Sequence, residues 1–252
     1  MPHLRPRPLA ENDRLAYAGE RIVPAFGITA RVAAQMLPAR NPHGKPNSNV
    51  LREVVSAPDF RRLVRGWQID FPPDMSEEEA ALYENPFHHL VRTVRLKHER
   101  WWANPYARHD LRVALARRER YLATPLGGAT PEFVWLDAQL LPDSSLLVVA
   151  RDDDFAHGVL RSRAFALWWS KVHSRRTPTV AVESFPFPWP PRTELHALTA
   201  VQEAHRHAVA LAARGDDAAR LETAVAVAYG WPAELPDAEL LARLSALNQQ
   251  RG

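Results

Sequence analysis

The chain has no cysteine and only three lysines among its 252 residues. Without cysteine, disulfide bonds and thiolate metal sites are excluded. Almost all of the positive charge is therefore carried by arginine, which is suited to bidentate contacts with phosphate groups and guanine edges. A GC-rich genome would produce the same bias, so the arginine content permits nucleic-acid binding without establishing it.

Long apolar runs are also missing. No stretch approaches the roughly 20 residues that a membrane-spanning helix needs, and the N-terminal sequence MPHLRPRPLAEND has no apolar core of the signal-peptide kind. The composition, with 46% hydrophobic and 24% charged residues and a formal net charge of +3, is ordinary for a globular protein. These features together indicate a cytoplasmic protein.

Glycine is absent from the arrangements that bind nucleotides and cofactors. The ten glycines form no G-x-G-x-x-G, no Walker A loop and no Phe-x-Gly-x-Gly turn of the kind that binds S-adenosylmethionine. Gly127-Gly128 is isolated and is followed by alanine and threonine. The sequence therefore predicts no cofactor site in this chain.

The most informative segment runs from Leu146 to Pro191. Its first four residues, Leu146–Val149, are apolar and predict a buried strand. The aspartates Asp152–Asp154 follow where the strand gives way to a helix, so we expect them to cap that helix or to pair with Arg161 and Arg163. The helical pattern continues from Phe155 to Trp168-Trp169, and an aromatic-proline run that cannot be helix interior closes the segment.

The periodicity elsewhere predicts an α+β fold. Its main elements are helices over 29–37, from Ser76 with a capping box to Glu79, over 88–97 and over 110–120, and strands over 67–71, 121–124 and 133–136. Three further helices, over 195–213, over 218–229 and from Pro236 onward, follow Pro191. We expect a tail or linker over 1–20, a mixed-sheet domain over 21–191 and a small helical domain over 192–252.

Two clusters raise the possibility of catalysis. His88, His98, Asn104 and His109 contain the residue types of a His-Asn-His nuclease, but such a site needs flanking strands and this region predicts helix and loop. Asp152–Asp154 carry carboxylates that could hold Mg²⁺, yet consecutive side chains point in different directions. Asn104-Pro105-Tyr106 lacks the second proline of an Asn-Pro-Pro-Tyr motif and predicts a turn. We expect no catalytic residue and no metal site.

Several ordered blocks resemble the specificity region of class I adenine-N6 DNA methyltransferases, including fused Type II restriction–modification enzymes and related phage-defence methyltransferases. The resemblance covers the chain from about residue 20 to its end. The blocks are Asn41 to Arg52 (NPHGKPNSNVLR), Trp67 to Phe71 (WQIDF), Glu84 to Phe87 (ENPF), Arg100 to Trp102 (RWW), Arg120 to Thr124 (RYLAT), Phe133 to Asp137 (FVWLD), Ala150 to Arg163, Thr177 to Pro191, and Tyr229 to Pro232 (YGWP).

The resemblance implies a target-recognition domain followed by a C-terminal helical domain. In that family the catalytic core, which binds S-adenosylmethionine and methylates adenine, lies upstream of these regions. Two departures stand out. Asn49 replaces an aspartate, and the loop 125–132 (PLGGATPE) replaces a basic loop. The altered loop gives a different target or marks a relic that binds DNA poorly.

The sequence thus predicts a DNA recognition module that is catalytically inert alone, with double-stranded DNA and a methyltransferase subunit as partners. The candidate cations for phosphate contacts are Lys45, Arg100, Arg118, Arg120, Arg161, Arg163, Lys171 and Arg175. We expect bases to be read by the segments 125–132, with Gly127, Gly128, Thr130 and Glu132, and 138–145. Two alternatives stay open, a small metal-dependent nuclease with an unrecognised site and a fragment without a current task.

Overall fold

The computed structural model describes residues 6–58, 66–95, 99–172 and 177–252. Within these residues the chain has eight strands and ten α-helices. The strands are β1 (Ala16–Ala18), β2 (Gly27–Ile28), β3 (Leu51–Val55), β4 (Gly66–Ile69), β5 (Arg120–Pro125), β6 (Val134–Asp137), β7 (Leu141–Pro142) and β8 (Leu146–Val149). The helices are α1 (Ala30–Met36), α2 (Glu77–Ala81), α3 (Glu84–Thr93), α4 (His109–Leu115), α5 (Asp154–Arg161), α6 (Arg163–Val172), α7 (Val180–Glu183), α8 (Ala200–Ala213), α9 (Ala218–Tyr229) and α10 (Asp237–Arg251).

The chain forms two compact units, and each is built from separate stretches of sequence. The first unit consists of the described parts of Met1–Ala18, Arg117–Leu136 and Leu147–Gly252. The second consists of the described parts of Gly19–Ala116 and Asp137–Leu146. Strands and helices occur in both units, so the predicted α+β class is confirmed.

The first unit has a four-stranded sheet in the order β1-β8-β5-β6. All four residues of β8 are buried, which explains why its sequence is a continuous apolar run. One hydrophobic core joins this sheet to the helices, since Leu147 lies in the same cluster as Phe165 of α6, Val209 of α8 and Leu244 of α10. The C-terminal helices therefore share a core with the sheet, while the predicted domain boundaries at residues 20 and 191 stay predictions.

The helix predicted from Phe155 to Trp169 is interrupted, and the expectation of one continuous helix was wrong. It breaks at Ser162, whose backbone is extended, so that α5 ends at Arg161 and α6 begins at Arg163. The Ser162 hydroxyl donates to the carbonyl of Val159 and accepts from the amide of Phe165. Serine bonds of this local kind compete with the helical ladder.

The second unit has a mixed sheet in the order β2-β4-β3-β7. Strand β4 pairs antiparallel with β2 and with β3, whereas β7 runs parallel to β3 through Val54–Leu141 and Val55–Pro142. Its core contains Ile69, Leu90, Trp101 and other side chains. Among the described residues, no helix is long and apolar enough to cross a membrane.

Short-range signals fix the ends of several helices. The predicted capping box at Ser76 and Glu79 is present at the start of α2, and Gly230 ends α9 in the left-handed conformation.

The predicted starts of two helices were wrong. Helix α3 begins at Glu84 rather than at His88, with Pro86 in its first turn, where a missing amide hydrogen costs little. Helix α8 begins at Ala200 rather than Leu195, because Thr199 and Gln202 form a capping box.

Candidate nucleic-acid interface

The candidate phosphate-binding cations divide between the two units. Arg118, Arg120, Arg161, Arg163 and Lys171 belong to the first unit, and Lys45 and Arg100 belong to the second. Arg175 lies outside the described residues.

Two of the predicted cations, Arg120 and Arg161, line the same open cleft of the first unit. The cleft has a volume of about 570 Å³, and we call it the arginine cleft. Its lining residues are Arg120, Trp135, Asp154, His157, Arg161, Ala213 and Arg214. They come from the start of β5, from β6, from α5 and from the end of α8, so the cleft exists only when these elements are packed together.

Asp154 organises the cations of the arginine cleft. Its Oδ1 accepts from Nη2 of Arg120 at 2.8 Å, and its Oδ2 accepts from Nε of Arg214 at 2.7 Å. Burial alone would raise the pKa of this carboxyl, but the hydrogen bond from Arg214 and the charge of Arg120 outweigh burial and lower the pKa. Asp154 therefore stays ionised and draws two guanidinium groups from distant parts of the sequence to one point.

Arg120 is also held by groups other than Asp154. Its guanidinium lies 3.9 Å from the ring centroid of Trp135, which is cation–π distance. Its Nε and Nη2 donate to the backbone carbonyl of Asp152 at 3.2 and 3.1 Å. This arginine is consequently fixed in position before any ligand arrives.

Arg161 extends from the last turn of α5 toward the end of α8. Its Nη1 donates to the carbonyl of Ala213 at 2.8 Å, which satisfies one of the carbonyls left unpaired at a helix C-terminus. Its side chain is exposed. Arg161 therefore links two helices while its charge faces solvent.

His157 forms part of the buried wall of the cleft. Its Nε2 lies 3.3 Å from the carbonyl oxygen of Phe133, and its ring packs edge-on against Trp135 at 5.1 Å between centroids. Burial lowers the pKa of His157 to about 4, although the hydrogen bond to Phe133 works in the opposite direction. The imidazole is neutral at neutral pH and adds no charge to the cleft.

The other three predicted cations of the first unit do not line the arginine cleft. Arg118 pairs with Asp152 at 2.9 Å. Arg163 pairs with Asp237 at 3.0 Å and also donates to the carbonyl of Leu235, which ties α6 to the start of α10. Lys171 is exposed in the last turn of α6.

The predicted base-reading loop 125–132 lies at the opposite end of β5 from Arg120. The five residue steps of β5 correspond to about 16 Å in an extended strand. Trp169 donates from Nε1 to the carbonyl of Gly128 at 3.4 Å, and the amide of Glu132 donates to the Thr124 hydroxyl at 2.9 Å. A side chain at Gly128 would approach the Thr130 carbonyl within 2.8 Å. Gly127, Thr130 and Glu132 are exposed.

The second predicted base-reading segment, 138–145, is anchored in the sheet of the second unit. It contains β7, which pairs with β3. The carbonyl of Gln139 accepts from Nε of Arg52 at 3.0 Å, and Ser145 accepts the amide hydrogen of Ala57 at 2.8 Å. Gln139 and Ser144 remain exposed along it.

The loop carrying Lys45 is shaped by two buried asparagines. Asn47 donates to the carbonyls of Met36 and Ala39, and Asn41 donates to the carbonyl of Lys45 at 2.9 Å. Lys45 itself is exposed. The polar residues of this motif thus fold the loop and present the lysine side chain at its surface.

Arg100 occupies another edge of the second unit, where it lines an open cleft of about 400 Å³ beside Asn104 and His109. Its Nη1 donates to the carbonyl of Pro73 at 2.5 Å. Asn104 begins a turn, with its carbonyl accepting from the amide of Ala107 and its side chain accepting from the amide of Tyr106. The segment Asn104-Pro105-Tyr106 is therefore a turn, as the sequence predicts.

Arg112, a cation that the sequence does not distinguish from its neighbours, is internal. It forms a bidentate pair with the fully buried Glu20 and a third bond of 2.8 Å to Asp70. Burial would lower the pKa of Arg112, but the hydrogen bond with Glu20 and the charge of Asp70 raise it overall. These ion pairs tie α4 to Glu20 and Asp70, and they leave Arg112 with little to offer a ligand.

The three aspartates have structural contacts. Asp153 caps α5 by accepting from the amide of Ala156, and it pairs with Arg151. The capping prediction is confirmed, whereas the expected partners Arg161 and Arg163 were wrong, since Arg118, Arg120 and Arg214 take their place. The backbone at the end of β8 and the start of α5 sets the directions of the three carboxylates. These directions bring them to arginines other than Arg161 and Arg163.

The proposed His-Asn-His cluster does not have flanking strands among the described residues. His88 lies in α3, Asn104 in a turn and His109 at the start of α4, while His98 lies outside the described residues. In the described part of the chain, no group of three or more histidine, aspartate or glutamate side chains is placed to hold a metal ion.

The paired tryptophans are core residues. Trp168 and Trp169 are 0% and 1% exposed, and Trp101 and Trp102 are each 6% exposed. Their ring faces are therefore not presented to bases. Trp135, which the sequence indicates only as a strand residue, lines the arginine cleft.

Arg214 and His157 also line the cleft, although nothing in the sequence marks either as a cleft residue. Arg214 follows α8 and lies 60 residues from its partner Asp154. No local pattern marks such a long-range pair, because the signal is the packing of α5 against α8.

No family model and no curated protein matches this chain. Among solved structures, the chain is similar to the Type IIL restriction-modification enzyme MmeI, whose structure was determined in complex with DNA, with a TM-score of 0.60 and 15% sequence identity. The match covers 94% of this chain and 35% of that chain, so the present chain spans about a third of the enzyme's length. The chain therefore shares its fold with part of a restriction-modification enzyme.

Proposed function

We propose that this chain is a DNA target-recognition module of an adenine-N6 methyltransferase system, inert as a catalyst by itself. The observation that carries the proposal is the fold likeness, over 94% of the chain, to a restriction-modification enzyme solved with DNA. The ordered sequence blocks point in the same direction, because they resemble the specificity region of such enzymes.

The charge of the first unit is consistent with DNA as the partner. Arg120, Arg161 and Arg214 line one open cleft, and arginine is the side chain best suited to phosphate groups. Contacts of this kind position a protein on DNA and carry most of the affinity, while base contacts supply specificity. The exposed residues of the loop 125–132 are the proposed base-reading set.

The catalytic partner belongs to the proposal. S-adenosylmethionine would bind to a methyltransferase core outside this chain, encoded either in the same polypeptide or as a separate subunit. Such an arrangement serves a restriction–modification or phage-defence system in the cytoplasm. Within this chain, the proposed task is to hold duplex DNA in one register.

The test is a gel-shift and fluorescence-anisotropy titration of the purified chain with duplex DNA over about 50 to 200 mM salt. We expect binding that weakens steeply as salt rises, because counterions are released when arginines contact phosphates. Adding a purified methyltransferase subunit should strengthen binding and make it dependent on sequence. Binding that is absent at low salt, with and without that subunit, would refute the proposal.

A further inference from the structure

The arginine cleft contains hydrogen-bond donors that the described part of the chain does not use. A guanidinium group has five N–H donors. Toward the described residues, Arg214 donates only from Nε, to Asp154, and Arg161 only from Nη1, to Ala213. Arg120 donates to these same described residues from Nε and Nη2 and not from Nη1. Three guanidinium groups around one cleft therefore retain free N–H groups.

The lining of the cleft also keeps an excess of positive charge. Three arginines and one carboxylate, Asp154, leave a net charge of +2, since His157 is neutral at neutral pH. Asp154 is only 10% exposed, whereas Arg120 and Arg214 are 40% and 67% exposed at their side chains. The anion that holds the arginines is thus covered, and the cations face the open side.

We infer that the arginine cleft binds one backbone phosphate of duplex DNA through Arg120, Arg161 and Arg214, and that Asp154 positions these arginines while limiting their affinity for phosphate. A tetrahedral oxyanion matches the planar donor forks of several arginines. The inference rests on the proposed function, because it assigns a site for the phosphate groups that the module would contact.

Asp154 has two opposing effects in this arrangement. Its carboxylate fixes Arg120 and Arg214 near each other, which reduces the entropy lost when a ligand binds. Its charge also offsets part of the attraction for a phosphate. The neutral Asp154→Asn variant keeps the size of the side chain, removes the opposing charge and keeps one of the two acceptor oxygens, so one arginine can still be held.

The experiment compares variants of the full chain by anisotropy with a duplex over the same salt series. We expect Arg214→Gln to make the slope of log K against log salt less steep by up to about 0.9, the value for complete loss of one phosphate contact. Binding to unrelated duplexes should weaken by similar factors, since phosphate contacts carry no base information. Asp154→Asn should bind several-fold more tightly than the wild type.

Arg243→Gln is the matched control. Arg243 lies on α10 of the same unit, is 39% exposed at its side chain and pairs with Glu239, so its replacement removes an equal charge away from the cleft. Circular dichroism and thermal unfolding establish that each variant is folded. If Asp154→Asn does not fold, Arg161→Gln provides the second measurement, with a slope change equal to that of Arg214→Gln.

The possible outcomes separate this inference from the proposed function. If the wild type binds DNA and Arg214→Gln behaves like Arg243→Gln, the cleft assignment is wrong and the proposed function stands. If the wild type binds no DNA under any condition, both are wrong. Inorganic phosphate at matched ionic strength provides a further arm. If it raises the Tm of the wild type but not of Arg214→Gln while DNA binding is unchanged, the cleft is a site for a free anion and the backbone assignment fails.

Discussion

At the scale of single residues, burial changes the pKa of His157, and the sequence around this residue does not predict the change. An exposed histidine has a pKa near 6.5, but burial lowers the pKa of His157 to about 4 despite the hydrogen bond to the carbonyl of Phe133. Between these two pH values the unfolded chain binds a proton that the folded chain does not. Stability must therefore decrease as the pH falls through this window.

This shift predicts a pH-dependent loss of stability. On lowering the pH from about 7.5 to about 5, His157 should reduce the free energy of unfolding by about 2 kcal/mol. The measurement is a denaturant titration of the wild type and of His157→Gln, which can still hydrogen bond to Phe133 and does not titrate. Subtracting the two curves removes the contributions of other groups. Equal pH dependence in the two proteins would contradict the assignment.

At the scale of elements, the approach of α5 to α8 creates the arginine cleft. Gly158 makes this approach possible, because a Cβ atom there would lie 2.8 Å from Cγ1 of Val209 and 3.1 Å from Cβ of Ala213. The same approach places Arg161 beside the end of α8 and Asp154 beside Arg214. A glycine that lowers helix propensity is thus compensated by close packing.

Replacing this glycine should separate the two helices. We expect Gly158→Ala to lower the free energy of unfolding by about 1 to 2 kcal/mol, since overpacking outweighs the gain in helix propensity. Chemical denaturation measures the change. Gly215→Ala is the control, because its new Cβ would meet its nearest atom, the carbonyl oxygen of Ala212, at 3.7 Å.

A second substitution tests the cause. Val209→Ala removes the methyl group that would clash. In the Val209→Ala background, Gly158→Ala should therefore lower the free energy of unfolding by less than it does in the wild type. If Gly158→Ala is as stable as Gly215→Ala, the close approach is not the reason for the glycine.

At the scale of the whole molecule, the first unit brings together parts of the chain that are far apart in sequence. Asn12, near the N-terminus, donates to the carbonyls of Val182, Glu183 and Phe185. Asn248, near the C-terminus, donates to the carbonyls of Arg7 and Ser184. Both asparagines are fully buried. Their bonds hold the aromatic-proline segment between the two ends of the chain.

This organisation predicts the result of truncation. A chain ending at Pro191 would lose Val209, Leu221 and Leu244 from the core of the first unit. The remaining apolar surfaces would be exposed to water, so we expect weak near-ultraviolet circular dichroism and no cooperative thermal transition. If the truncated chain unfolds cooperatively at the temperature of the full chain, the boundary predicted at residue 191 is also a limit of independent folding.

The sequence by itself determined the features that depend on neighbours within a few residues. Asp153 caps α5, Ser76 and Glu79 form their box, and the apolar run Leu146–Val149 is a buried strand, because these structures need only local hydrogen bonds or a local apolar pattern. The fold class follows from the same signals. The motif blocks likewise indicated a likeness to restriction–modification enzymes, and the chain shares its fold with part of one such enzyme.

Only the tertiary structure decided how the charged and aromatic residues are used. Arg120 and Arg161 share a cleft with Arg214 and Trp135, Arg112 is held by two buried carboxylates, and Trp168 lies in the core. The sequence contains all of these side chains, but their partners lie tens of residues away. The packing of helices and sheets decides which of these side chains lie within contact distance of each other, and the local sequence pattern does not predict it.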